Sequence, residues 1–136
     1  MVKITFINQV AITARIPRAV ICRTLKKAER LYPSRLTGQR LSLVFMAAAD
    51  VKKLNSRYRG KNKPTNVLSF ATTGPGELGD IIICPAMARG EAIARGESFL
   101  ARVNYLFIHG LLHLLGFDHN NNTAEKQMLA AEAKLQ

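Results

Sequence analysis

The sequence predicts an α+β fold: one β-sheet packed against a layer of helices. Segments that alternate apolar and polar residues come early in the chain, and segments with helical periodicity come late, with helices interspersed. The scale agrees. A chain of 136 residues, 48% of them hydrophobic, suits one domain with a well-filled core, and we expect residues 1–136 to form that single domain.

Each element has a local reason. Val2–Val10 alternates and is rich in β-forming residues, so it reads as the first strand. Pro17 suits the opening of a helix that Ala19–Leu31 continues, carrying Arg23, Lys26, Lys27 and Arg30, and Pro33 ends it. Arg40–Ala47 is the second strand. Asp50 is placed to cap a short helix that runs to Tyr58, and Arg59–Pro64 is a basic loop. Asn66–Ala71 is the third strand, the Gly/Pro-rich stretch Thr72–Gly79 a turn, and Asp80–Cys84 the fourth strand. Pro85 opens a helix to Arg95, and Ser98 caps the next, Phe99–Leu115. Asn122 and Glu125 have the spacing of a capping box before a last helix, Thr123–Leu135. There is no internal repeat, low-complexity tract or linker.

Composition excludes several classes. Cys22 and Cys84 lie far apart in apolar runs and read as small buried hydrophobes with no disulfide partner, which fits a reducing cytoplasm. Met1–Gln9 alternates rather than forming the apolar core of a secretory signal, and nothing approaches the roughly 20 apolar residues of a membrane span. We therefore expect a soluble cytoplasmic protein without a membrane partner. Twenty Lys and Arg against nine Asp and Glu give a formal charge of +11, a field that draws in polyanions, nucleic acid above all.

The histidines are the most informative feature. There are three, all within Ile108–Asn120 (IHGLLHLLGFDHN). His109 and His113 are four apart in a helical run, which stacks both imidazoles on one face within reach of a single ion. The rest of that helix is apolar on nearly every side, so each ring needs a partner for its polar nitrogens, and a shared metal satisfies both. Gly116 can end the helix in the left-handed conformation, after which the chain turns to present His119. Three neutral nitrogen donors with a fourth position left for water form the pattern of a catalytic zinc site. We expect one divalent metal ion, Zn²⁺ fitting best, on His109, His113 and His119. Asp118 is placed to orient the rings.

The spacing of these histidines is also that of the metzincin peptidases. Those enzymes place a glutamate, their general base, directly after the first histidine, and this chain has Gly110 there. The metal scaffold is kept and the peptidase base is missing.

His109–His119 (HGLLHLLGFDH) resembles the signature of the YbeY family of bacterial endoribonucleases. Tyr58–Phe70 (YRGKNKPTNVLSF) and Gly79–Ile83 (GDIII) resemble that family's other two motifs, in the same order. The resemblance implies a metal-dependent, single-strand-specific endoribonuclease in ribosomal RNA maturation and ribosome quality control, with RNA and the ribosome or its proteins as partners. It also implies a mixed four-stranded sheet with one antiparallel edge strand, packed on helices in a zincin-like way. The family's metal-binding histidines carry over onto His109, His113 and His119, and its functional arginine onto Arg59. Many members have aspartate where this chain has Asn66.

Lys52, Lys53, Arg57, Arg59, Lys61 and Lys63 crowd into one short stretch around Tyr58. We read it as a phosphate-binding rim beside the metal, with Arg57, Arg59, Lys61 and Lys63 on substrate. Arginine's planar fork grips phosphate at two points, which favours Arg59 for the scissile phosphate, with His113 as the second catalytic residue. Tyr58 either stacks on a base or joins the core. Asn66 and Ser69 share a strand expected to line the cleft, and either can contact substrate. Asp80, in the GDIII motif, suits a turn or strand-end hydrogen bond. Two other readings compete: a non-catalytic RNA- or ribosome-associated factor in which the metal only clamps the fold, and a metallopeptidase, which Gly110 and the positive charge both oppose.

Overall fold

The computed structural model describes residues 1–10, 16–63 and 65–136. Pro64, the last residue of the expected basic loop, lies outside them. The chain runs β1 (Lys3–Asn8), α1 (Arg18–Leu31), α2 (Pro33–Leu36), β2 (Arg40–Phe45), α3 (Ala48–Arg59), β3 (Val67–Ala71), β4 (Glu77–Ile83), α4 (Pro85–Arg95), α5 (Phe99–Leu114) and α6 (Asn122–Leu135). The sheet order is β1-β2-β4-β3. β1 and β4 flank β2 in parallel, and β3 pairs with β4 antiparallel at the edge. This is the mixed sheet with one antiparallel edge strand that the family resemblance implied.

Side-chain alternation divides the core into two layers. Leu41, Leu43, Phe45, Ile81 and Ile83 face the larger cluster, which is completed by α1, α2, α4, α5 and α6. Val44, Met46, Leu68, Ile82 and Cys84 face the smaller one, closed by Val51 of α3. β4 ends in the unbroken apolar run Ile81–Cys84 because both of its faces are covered. Cys84 is fully buried, while Cys22 is only half-buried, and both thiols are free. α5 is the spine of the larger layer: Val103, Phe107, Ile108, Leu111 and Leu112 are all buried, as expected of a helix apolar on most sides.

Several boundaries differ from the sequence reading, four of them for a visible reason. Pro33 opens α2 as well as ending α1, because its fixed φ suits a first helical turn. α3 starts at Ala48, since two alanines extend the helix ahead of Asp50, and that carboxylate sits in the first turn where the helix dipole favours it. β4 begins at Glu77, three residues early, and so includes Gly79. A Cβ on Gly79 would lie 2.2 Å from the Phe70 carbonyl oxygen, so only glycine permits this strand approach. Asn121 caps α6 in place of Asn122, its Oδ1 accepting from the Ala124 N–H at 2.9 Å. Three successive asparagines present equivalent caps, and Ala124 then occupies the third helical position, so no capping box forms.

Candidate metal centre

α5 and the turn after it build the centre. Ser98 caps the helix, its Oγ accepting from the Ala101 N–H, and the four-residue spacing brings His109 and His113 out on one face. Gly116 has φ +96°, the conformation that stops the helix and swings the chain round to His119. The turn is anchored from outside. The Arg35 guanidinium donates to the Leu115 carbonyl, and Phe117 packs edge-on against Tyr32 with ring centroids 5.9 Å apart. Asp118 fixes the last step, accepting from the His119 N–H at 2.7 Å and from Asn120 Nδ2 at 2.6 Å.

Each histidine offers a ring nitrogen, and the three lie within 4.8 Å of one another. His109 Nε2 and His113 Nε2 stand 3.2 Å apart. Zinc–nitrogen bonds of about 2.0–2.1 Å in tetrahedral geometry place two donor atoms about 3.3 Å apart, so this pair already has the spacing of nitrogens on one ion. Burial pushes the His113 pKa below the ordinary imidazole value, and the neighbouring His109 and His119 push it the same way, against Asp118 and a hydrogen bond with the Phe117 backbone. The shift favours the neutral form a metal requires.

Glu132 of α6, which the sequence reading did not single out, completes the arrangement. It is 5% exposed, and its Oε1 lies 2.9 Å from His109 Nδ1. A proton held on Nδ1 by this carboxylate leaves Nε2 as the free donor. Tyr105 stacks against His109 at 6.2 Å between centroids and in turn carries the Arg102 guanidinium 4.4 Å from its own ring centroid. The donor set, its spacing and this supporting carboxylate all fit a single divalent cation.

The histidines open into a cleft of ≈ 820 Å³ that also meets Tyr58, Arg59, Lys61, Lys63, Asn66 and Ser69. Tyr58 is 60% exposed and edge-on to Phe70, so it belongs to the cleft wall and not to the core. Arg57 lies elsewhere: its guanidinium crosses the Tyr58 ring, and it borders a separate shallow groove with Lys52 and Lys53. Asp80 sits within β4, paired with Phe70, and is not among the residues that line the cleft. Asn55, also missed in the sequence, holds the basic loop in place. It is buried on α3, its Nδ2 donates to the Lys63 carbonyl at 2.8 Å, and its Oδ1 has no partner among the described residues.

Asn66 and Ser69 are both tied down. Asn66 Nδ2 donates to Glu91 Oε2 at 3.0 Å, and Glu91 in turn binds the buried Arg102. An aspartate at this position would face the Glu91 carboxylate, whereas the amide offers it a donor. The Ser69 hydroxyl donates to the Gly110 carbonyl at 3.0 Å, joining β3 to α5. A Cβ on Gly110 would lie 2.9 Å from Ile81 Cγ2 and 3.0 Å from Ser69 Oγ. The position that carries the peptidase glutamate is here pressed flat against the sheet, with no room for a side chain.

A sequence model described as Endoribonuclease YbeY matches residues 5–136. This chain belongs to the YbeY endoribonuclease family. Curated YbeY endoribonucleases share 35% identity in Bdellovibrio bacteriovorus, 45% in Pseudoalteromonas translucida and 41% in Staphylococcus saprophyticus. The aligned stretches cover 73%, 66% and 70% of this chain, and 66%, 67% and 69% of those relatives, about two thirds of their length. The solution structure of TM1509 from Thermotoga maritima has a similar fold, with a TM-score of 0.63 at 21% identity, over 97% of this chain and 88% of that one. Among the described residues, no helix is long and apolar enough to cross a membrane.

Proposed function

We propose that residues 1–136 form a single endoribonuclease domain that cuts single-stranded RNA in ribosomal RNA maturation and ribosome quality control, in the cytoplasm. One observation carries the reading. Three imidazoles with metal-ligand spacing open into a cleft that Arg59, Lys61 and Lys63 also line. A peptidase lacks a reason for those cations and needs a base at the position of Gly110. A metal that merely clamps the fold has no need of an open cleft, and the core is filled without one.

His109, His113 and His119 hold the cation, and zinc suits three imidazole donors best. When bound, it supplies positive charge against a phosphoryl oxygen or acidifies a coordinated water. Arg59 grips the scissile phosphate through its guanidinium fork and stabilises the charge that develops as the ester breaks. Lys61 and Lys63, on the loop that Asn55 secures, hold neighbouring phosphates. Asn66 presents its Oδ1, and Ser69 the lone pairs of its hydroxyl, as acceptors to the sugar or base. Arg57, beside Lys52 and Lys53, extends the positive rim along the incoming strand. Ribosomal RNA within the ribosome, with its proteins, supplies the partners.

The experiment is cleavage of a single-stranded ribosomal RNA fragment by the zinc-loaded protein, before and after chelation, with circular dichroism in parallel. The expected result is loss of cleavage with the fold retained. Melting on chelation would instead support the clamping role, and cleavage that survives complete metal removal would exclude the mechanism.

A further inference from the structure

Arg23, Lys26 and Arg30 lie exposed on α1, with Lys27 half-buried beside them, and the proposed cleavage reaction uses none of them. Their spacing creates like-charge neighbours three and four residues apart: Arg23 meets Lys26 and Lys27, and Arg30 meets the same two lysines. Such pairs weaken a helix. α1 has no acidic residue in its first turn to compensate. Its one carboxylate, Glu29, is taken by the Val2 N–H, the Thr37 hydroxyl and the Met1 amino group. Among the described residues, Arg23, Lys26 and Arg30 have no ion-pair partner. Solubility alone is met by mixed charges, so a row of cations set against its own helix points to an anion from outside.

The row faces away from the metal centre. Thr24 Oγ1 donates to Asn104 Oδ1 at 2.7 Å, so α1 packs on the Asn104 side of α5. Asn104 precedes His113 by about two and a half helical turns, which places it on the opposite side of that helix. There, between α1 and the end of α6, runs a groove of ≈ 340 Å³ bordered by Arg23, Lys26, Lys27 and Arg30. Lys27 Nζ donates to the Gln136 main-chain carbonyl at 3.1 Å and forms part of the wall, leaving the other three cations to the groove.

We propose that this face is a second, sequence-independent binding site for the RNA phosphate backbone, remote from the cleft. A short strand engages the cleft alone. A long or folded RNA engages both faces, and the protein thereby favours substrates large enough to wrap it. The proposal rests on reading RNA as the substrate.

The test uses the full zinc-loaded chain and the triple variant Arg23→Gln, Lys26→Gln, Arg30→Gln. Fluorescence anisotropy measures binding of cleavage-resistant 2′-O-methyl oligonucleotides of about six and about forty nucleotides, the shorter near the size of one binding groove. The expected result is about a tenfold loss of affinity for the long oligonucleotide, with log K against log salt shallower by about 2, as for three lost phosphate contacts on a single strand. Short-oligonucleotide affinity and cleavage of a short RNA stay unchanged. The thermal midpoint stays equal or rises, because the like-charge pairs are gone. An unchanged long-oligonucleotide affinity overturns the proposal, and so does an equal loss at both lengths, which marks a diffuse field. A variant that loses only binding to phosphatidylserine vesicles assigns the face to lipid and overturns it too. If the native protein binds neither oligonucleotide, the RNA reading itself has failed.

Discussion

Glu132 brings a carboxylate into a nearly water-free position, and the only hydrogen bond its side chain makes among the described residues is to His109 Nδ1. A buried charge needs such a partner, and the imidazole gains a fixed tautomer in return. Glu132→Gln keeps the shape but removes the charge, so we expect metal affinity to fall about ten- to a hundredfold with the fold intact, measured by competition with a zinc chelator dye. An unchanged affinity would leave Glu132 as packing alone. Arg59 lines the same cleft, where we propose that it grips the RNA phosphate. Arg59→Glu should bind metal as the native chain does and lose RNA cleavage by about two orders of magnitude or more, the scale of a lost transition-state donor. Cleavage at the native rate would reduce Arg59 to one cation of the rim.

At the scale of elements, α5 decides the site because it lies flush on β3 and β4 at Gly110. Adding one methyl there drives a Cβ into Ile81 and Ser69. Gly110→Ala should cost about 1–3 kcal/mol, seen as a lower Tm, and should also tilt the histidines and weaken metal binding. The histidine block was legible in the sequence because its spacing is local: one helix face and one glycine turn fix all three rings. The mixed sheet with one antiparallel edge strand came from the family resemblance, but neither the strand order nor β3 as that edge was predicted, since alternation marks a strand without naming its neighbour. Glu132 and Asn55 were not legible. Each meets its partner through tertiary packing, and a glutamate on α6 or an asparagine on α3 looks like any surface polar residue until the helices dock. The start of β4 was missed for a related reason: Gly79 reads as a turn residue, and only its contact with Phe70 shows it to be a strand glycine.

For the whole molecule, the fold separates two tasks. The larger core backs α5, while the antiparallel edge β3 and the loop after α3 line the cleft into which its half-buried imidazoles open. A net charge of +11 favours polyanions over the whole surface, and on our proposal the three histidines decide where RNA is cut. The central claim is that those rings share one ion and that cleavage depends on it. Elemental analysis of the purified native chain and of His113→Ala, with RNA cleavage assayed on the same samples, tests it most directly. We expect about one divalent ion per native chain, zinc foremost, and loss of both metal and cleavage in the variant. A His113→Ala protein that still cuts RNA at the native rate without metal would contradict it.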